Sequence, residues 1–328
     1  MNKIMTTIGV PPGRIVLVVA CAFLWAGGST VSAQDRSERE TRRAQRQGQE
    51  RPVTVPVTIR VRDQKAQQEI QVDFVAREDG EMQDIISIRR PTEVPLTIAI
   101  LIQDDLESSV STHTREIADF VRHLPAGSRV MIGYIRAGSL DVRRKFTSDL
   151  EKAATSVRPP FGLASAAPFN PYVEIIEALK RFDSQPAGRR AIFVVSDGLD
   201  VSRGIETGSP SESLDLQRAI SEAQRRGVAI YSIYAPAAFS GTGSSSLLIS
   251  YSQSSLERLS RETGGRAYFQ GTGAPVNFDH FLSEIDTSLS RQLALTYLST
   301  HPTKGFHRLD IKATDRNVEV RHPAGYTR

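Results

Sequence analysis

Two clusters of side-chain oxygens carry most of the chemistry open to this chain. Asp104 and Asp105 follow an apolar run at residues 96–102 (LTIAILI), with Ser108 and Ser109 just behind them. Asp197 follows a second apolar run at 190–195 (RAIFVV), inside Ser196-Asp197-Gly198-Leu199-Asp200. Carboxylate and hydroxyl oxygens brought together make a hard ligand set suited to Mg²⁺ or Ca²⁺. The competing reading is structural, since an aspartate between a strand and a helix often caps the helix or closes a turn. Other chemistries find little footing. His113, His123, His280, His301, His307 and His322 are scattered without metal-ligand spacing. No Gly-x-Ser-x-Gly elbow supports a serine hydrolase. Gly241-Thr242-Gly243 lies in a serine-rich stretch and does not open a helix after a strand, as a phosphate loop would.

The elements that must position these oxygens alternate in type. The runs at 96–102 and 190–195 are continuously apolar, as strands buried on both faces are. Further strands are expected at 130–135, 140–146, 228–234 and 267–269. Helices are expected at 111–123, 172–182, 214–226, 256–263 and 278–293, with Gly227 and Gly264 as stop signals. Strands alternating with helices imply an α/β fold with a mostly parallel sheet flanked by helices. In such a sheet ligands sit beyond the carboxyl ends of the strands, where both acidic clusters fall. Residues 239–252 read as a mobile surface loop, either part of a binding face or an insertion without a role.

A different pattern flanks this region. Val53, Val55, Val57, Ile59 and Val61 alternate with Thr54, Pro56, Thr58 and Arg60, the period of a half-buried strand, and Pro56 predicts an edge position. Strand-like runs at 70–75 and 85–88 follow, separated by the turn signal Glu78-Asp79-Gly80. Residues 53–94 thus form a small β module. Strand-like runs return at 293–298, 309–313 and 318–320, so that 293–328 can pair with that module around a domain spanning 95–292.

The first residues address the chain out of the cytoplasm. Lys3 and Arg14 precede an apolar run at 15–25 and a small-residue end, Val31-Ser32-Ala33, the parts of a secretory signal peptide over 1–33. An uncleaved anchor and a lipoprotein attached through Cys21 are the alternatives; the apolar run continues past Cys21, where a lipobox should close. Residues 34–52 are densely charged and read as a disordered tether, with a charged surface helix as the other reading. Cleavage after Ala33 removes Cys21, the only cysteine, which excludes thiolate ligands and cysteine nucleophiles. The formal net charge of +4 is mixed in sign along the chain, with no basic block interleaved with aromatics, so a nucleic-acid partner is not expected. Nor is stable membrane insertion after cleavage.

The order of these motifs resembles a von Willebrand factor type A (VWA) domain: Pro95-Leu96 before a buried strand ending in aspartate, then a strand followed by Ser196-Asp197-Gly198. The resemblance sharpens toward VWA-related domains of acidobacterial exported proteins. It rests on the segment from Phe74 to Gln83, on Thr263-Gly264-Gly265-Arg266-Ala267-Tyr268, on Gln292-Leu293-Ala294-Leu295-Thr296-Tyr297, and on the terminal Gly325-Tyr326. It covers about Val53 to Arg328. The resemblance implies a metal-ion-dependent adhesion site opening with Asp-x-Ser-x-Ser. With Asp104 first, Ser108 fits the last position and Leu106 replaces the middle serine; with Asp105 first, Glu107 takes the middle and Ser109 the end. Asp197 matches the family's later aspartate. The family's threonine is missing from residues 162–171, where Ser165 is a weak substitute. The implied site is therefore degenerate, built from Asp104, Ser108 and Asp197 with Asp105 and Ser165 as weaker members, holding Mg²⁺ or Ca²⁺ weakly or no metal. The function it implies is protein–protein or surface adhesion outside the cytoplasm with an unnamed protein partner. A metal-dependent hydrolase and a metal-free structural envelope component are the alternatives; no general base is placed for the former.

Overall fold

In the computed structural model the described residues are 50–61, 72–163, 165, 167–168, 170–204, 208–238 and 245–328. The expected signal peptide and nearly all of the expected tether lie outside them. The strands in chain order are β1 (Arg51–Val61), β2 (Phe74–Glu78), β3 (Glu81–Arg89), β4 (Thr97–Gln103), β5 (Arg129–Arg136), β6 (Ser139–Thr147), β7 (Arg190–Ser196), β8 (Ala229–Tyr234), β9 (Ala267–Tyr268), β10 (Gln292–Ser299), β11 (Phe306–Ala313), β12 (Val318–Arg321) and β13 (Gly325–Thr327). The helices are α1 (Thr114–His123), α2 (Leu150–Ala154), α3 (Tyr172–Lys180), α4 (Leu214–Arg226), α5 (Ser246–Thr263) and α6 (Asp279–Ser290). Among the described residues no helix is long and apolar enough to cross a membrane.

The continuous apolar runs go to the centre of a six-stranded sheet of order β6-β5-β4-β7-β8-β9. β4 is buried at all seven positions and pairs parallel with β5 on one side and β7 on the other. Only β6 runs antiparallel, paired to β5 through a tight turn. Counted in chain order the strands lie 3-2-1-4-5-6, the doubly wound arrangement, with its switch point between β4 and β7. Side chains alternate between the faces of β4. Ile98, Ile100 and Ile102 pack with Ile117 and Val121 of α1 and Ile285 and Leu289 of α6. Ala99 and Leu101 pack with Ile175 and Leu179 of α3 and Ile220 and Ala223 of α4. Local chemistry agrees: the Ser213 hydroxyl accepts from the Leu216 amide at the start of α4, and Gly227 closes it in the left-handed region.

The remaining strands form a seven-stranded sheet of order β12-β1-β10-β3-β2-β11-β13, which joins residues before the α/β region to residues after it. β1 pairs with β10, from Arg51 opposite Ser299 to Thr58 opposite Gln292. The expected edge position of β1 is corrected: β12 flanks its other side, but only over Thr58–Val61. Pro56 falls outside that overlap, so its missing N–H leaves no ladder bond unmade. This sheet abuts the amino ends of the parallel strands. A Cβ on Gly227 would meet the Thr54 carbonyl at 2.5 Å, and one on Gly264 would meet the Pro323 nitrogen at 2.9 Å. The carboxyl edge of the six-stranded sheet is left uncovered by it.

Two further expectations change. The strand expected at 70–75 is shifted: β2 starts at Phe74 and runs to Glu78, residues 72–73 precede it, and residues 62–71 lie outside the described residues. The loop expected at 239–252 is helical from Ser246 as part of α5; residues 239–244 are not described. Leu248, Ile249, Ser252, Ser255, Leu256, Leu259, Ser260 and Thr263 are its buried residues, at helical spacing. Three serines and a threonine fill half of that stripe, which hides its period from a hydrophobicity reading.

Candidate functional site

The carboxyl ends of β4 and β7 meet at the switch point, and the parallel register sets Gln103 beside Ser196. Gln103 is a buried bridge. Its side-chain carbonyl accepts from the Ser196 hydroxyl (2.6 Å) and the Asp197 amide (3.2 Å), and its amide nitrogen donates to Asp105 Oδ1 (2.9 Å). Nothing in the sequence marks Gln103 as a site residue; only pairing of β4 with β7 does.

The two adjacent aspartates part company because strand side chains alternate. Asp104 is fully buried on the face of Ile98, Ile100 and Ile102. Arg158 grips it in a bidentate pair, at 2.6 Å to Oδ1 and 2.9 Å to Oδ2. Arg136 Nε lies 3.3 Å from Oδ2, and the Phe161 amide donates to Oδ1 at 3.1 Å. The Arg158 guanidinium is itself sandwiched, 3.8 Å from the Tyr134 ring centroid and 3.9 Å from that of Phe161. Burial works against its charge, and Asp104 more than offsets this, so its pKa is raised.

Asp105 and Asp197 lie on the other side, buried and electrostatically coupled. Desolvation raises the pKa of Asp105 against the Gln103 hydrogen bond, and Asp104 adds to the rise. Desolvation pushes Asp197 up to about 7; the Leu199 amide bond to Oδ1 opposes this and Asp105 reinforces it. The Tyr234 hydroxyl, also buried, has no hydrogen-bond partner among the described residues, and burial and the charges of Asp197 and Glu107 raise its pKa to about 12. Gly198 holds the Ser-Asp-Gly turn at φ 68°, and a Cβ there would sit 2.5 Å from Leu256 Cγ.

The segment after Asp105 does not turn back over the aspartates. Leu106 is fully buried in the core and bridges Ala237, the Ala238 amide donates to the Asp105 carbonyl (2.8 Å), and the Glu107 amide donates to Pro236 (3.0 Å). Ser108 and Ser109 are exposed on the 3₁₀ turn Ser108–His113, and Ser165 is exposed as well. The residues of the implied adhesion site are thus not brought to one point: Asp104 is engaged by two arginines, Ser108 is outside, and Asp197 faces Asp105. A hard divalent cation takes about six or more oxygens. Two desolvated carboxylates tied to backbone and amide donors, with one tyrosine hydroxyl, do not fit that demand. Among the described residues, no group of three His, Cys, Asp or Glu side chains is placed to hold a metal.

The raised pKa of Asp197 gives a signed expectation. Its folded value lies above its unfolded value, so its contribution is fully present below about pH 4 and is lost as pH rises through about 7. Asp197→Asn keeps the acceptor for the Leu199 amide and removes the buried charge. The variant is expected to be more stable than the parent at pH 8, by at most about 4 kcal/mol, and to lose that advantage at pH 4. Urea unfolding at the two pH values checks this.

No family model matches the chain, and no curated protein matches it. Solved structures similar to it include an aerotolerance-related membrane protein from Bacteroides fragilis, at 16% identity and TM-score 0.41 over 59% of this chain and 98% of that one. The BatB protein from Bacteroides thetaiotaomicron is similar at 16% identity and TM-score 0.41 over 60% and 97%. A von Willebrand factor type A protein from Catenulispora acidiphila is similar at 10% identity and TM-score 0.42 over 85% and 75%. The strand order and burial above establish the architecture by themselves: a mostly parallel, doubly wound α/β sheet between two layers of helices, with an accessory antiparallel sheet at its amino edge.

Proposed function

We propose that the protein is an exported VWA-type binding protein that takes a protein partner at the carboxyl edge of its six-stranded sheet, without a resident cation. The observation that supports this reading most is where apolar surface is left in water. Of the ten large apolar side chains that stand out as exposed among the described residues, seven lie in segments that follow carboxyl strand ends or open the next helix. They are Phe161, Leu163, Val173, Leu214, Leu247, Phe269 and Val276. Gathered apolar exposure on an otherwise charged surface marks an interaction face. The buried Asp104–Arg158 pair fixes the loop that presents Phe161 and Leu163, and the other sheet stays clear of this edge. Export is supported by the signal-like residues 1–33, and the finer likeness to acidobacterial exported proteins belongs to the same proposal.

A photo-reactive residue at position 163 tests it in the producing cell's envelope. It is expected to trap a discrete protein adduct that Phe161→Asp abolishes, while the same probe at Met82, exposed on β3, traps none. Equal labelling from both positions, or none from 163, contradicts the reading.

A further inference from the structure

We propose that the cavity between the β1–β12 edge and α6 binds the dianion of a phosphate monoester. This site is separate from the carboxyl edge and does not depend on its function. The cavity measures about 810 Å³, and Arg60, Arg291 and Arg321 all line it. Among the described residues none of the three has a carboxylate in ion-pair contact or a side-chain hydrogen bond. Two carboxylates, Glu284 and Glu319, line the cavity with these arginines and Arg266. Arg266 pairs with Glu284 at 2.6 Å, and Arg60 stands directly across the strand pair from Glu319. Four lining arginines against two lining carboxylates leave an excess of two positive charges in one concavity. Like charges gathered this way repel, and a dianion would relieve that repulsion.

The neutral lining suits the same ligand. Ser283, Thr287 and Arg291 fall at four-residue spacing and so share one side of α6, continued just past its end, and the two hydroxyls line the cavity. Neither hydroxyl has a hydrogen-bond partner among the described residues. Hydroxyl and guanidinium donors are what phosphoryl oxygens accept from. The cavity shares Arg266, Glu284 and Arg321 with a second space of about 690 Å³ walled by Tyr268 and Phe281. The Tyr268 ring is buried at this wall. A ligand with a ring attached to its phosphate would place the ring against these aromatics.

Isothermal titration calorimetry with phenyl phosphate, inorganic phosphate and phenyl sulfate tests this on the full chain at pH 7.5, where a phosphate monoester is close to doubly charged. Phenyl phosphate is expected to bind with one site per chain, more tightly than inorganic phosphate and more tightly than the singly charged sulfate. Arg291→Ala and Arg321→Ala are each expected to weaken it roughly ten- to a hundredfold, the loss of a charge-assisted contact. Arg291→Lys and Arg321→Lys, which keep the charge, should lose less. Arg143→Ala, on β6 and outside the cavity, should leave affinity unchanged, and unaltered thermal midpoints certify that the variants are folded. No saturable heat with phenyl phosphate overturns the proposal. So does equal binding of phenyl sulfate, or an equal loss in Arg143→Ala, which would reduce the effect to net charge.

Discussion

Arg158→Ala will lower the unfolding free energy by about 3–5 kcal/mol, the cost of stripping one partner from a buried ion pair. Asp104 is fully buried and would keep only Arg136, at 3.3 Å, and the Phe161 amide. The guanidinium also fills the space between the Tyr134 and Phe161 rings, so the variant loses packing along with charge. Asp104→Leu combined with Arg158→Leu should recover most of the loss, because apolar replacement of a whole buried pair is close to neutral. Urea unfolding of the two single variants and the double variant measures the coupling. The double variant is also informative about binding. It leaves Phe161 in place with nothing to hold its amide, so a partner that needs the 161–163 loop in one position should be captured less well even in a folded protein.

Arg189→Ala is expected to cost about as much, roughly 3–5 kcal/mol, by a different route. Arg189 is 1% exposed and, among the described residues, has no carboxylate partner. Its Nε donates to the Gln292 carbonyl at 2.8 Å, and its terminal nitrogens donate to the carbonyls of Val94 and Leu289. These three acceptors belong to the entry into β4, the end of α6 and the start of β10, so one side chain ties the α/β sheet to the accessory sheet. Burial lowers its pKa to about 10, which still leaves it charged at neutral pH. Arg189→Lys should recover only part of the loss, since an ammonium lacks the planar fork that reaches three carbonyls at once. Denaturant curves followed at Trp-independent probes in each sheet would show whether the two sheets still unfold together in these variants.

How much of this was legible beforehand depended on the kind of signal each residue gives. The central strands were visible because β4 and β7 must be apolar on both faces, and a run such as residues 96–102 has few other uses. The first half of α5 was not visible, because Ser252 and Ser255 stand where a hydrophobicity pattern looks for aliphatic residues. The short α2 and the three-residue β13 carry too few positions to show a period. At the candidate site, sequence order placed Asp104, Asp105 and Asp197 at the right end of the sheet but could not separate the two neighbouring aspartates. Their opposite environments follow from alternation along β4 together with Arg158, which arrives from 54 positions away on a loop with no motif of its own. Gln103 was equally silent, since a glutamine at a strand end becomes a bridge only once β4 and β7 are known to be neighbours.

The claim that this edge is organised by Arg158 and by two desolvated carboxylates, with no cation of its own, is tested most directly by calorimetric titration of the protein with Mg²⁺ and with Ca²⁺ at pH 8. At that pH Asp197 is above its folded pKa of about 7, so a cation would meet an ionised carboxylate. The account predicts no saturable binding tighter than about 1 mM for either ion, an affinity of only ~4 kcal/mol. A one-to-one isotherm in the micromolar range, lost in Asp197→Asn, would contradict it and restore the adhesion site with a resident metal.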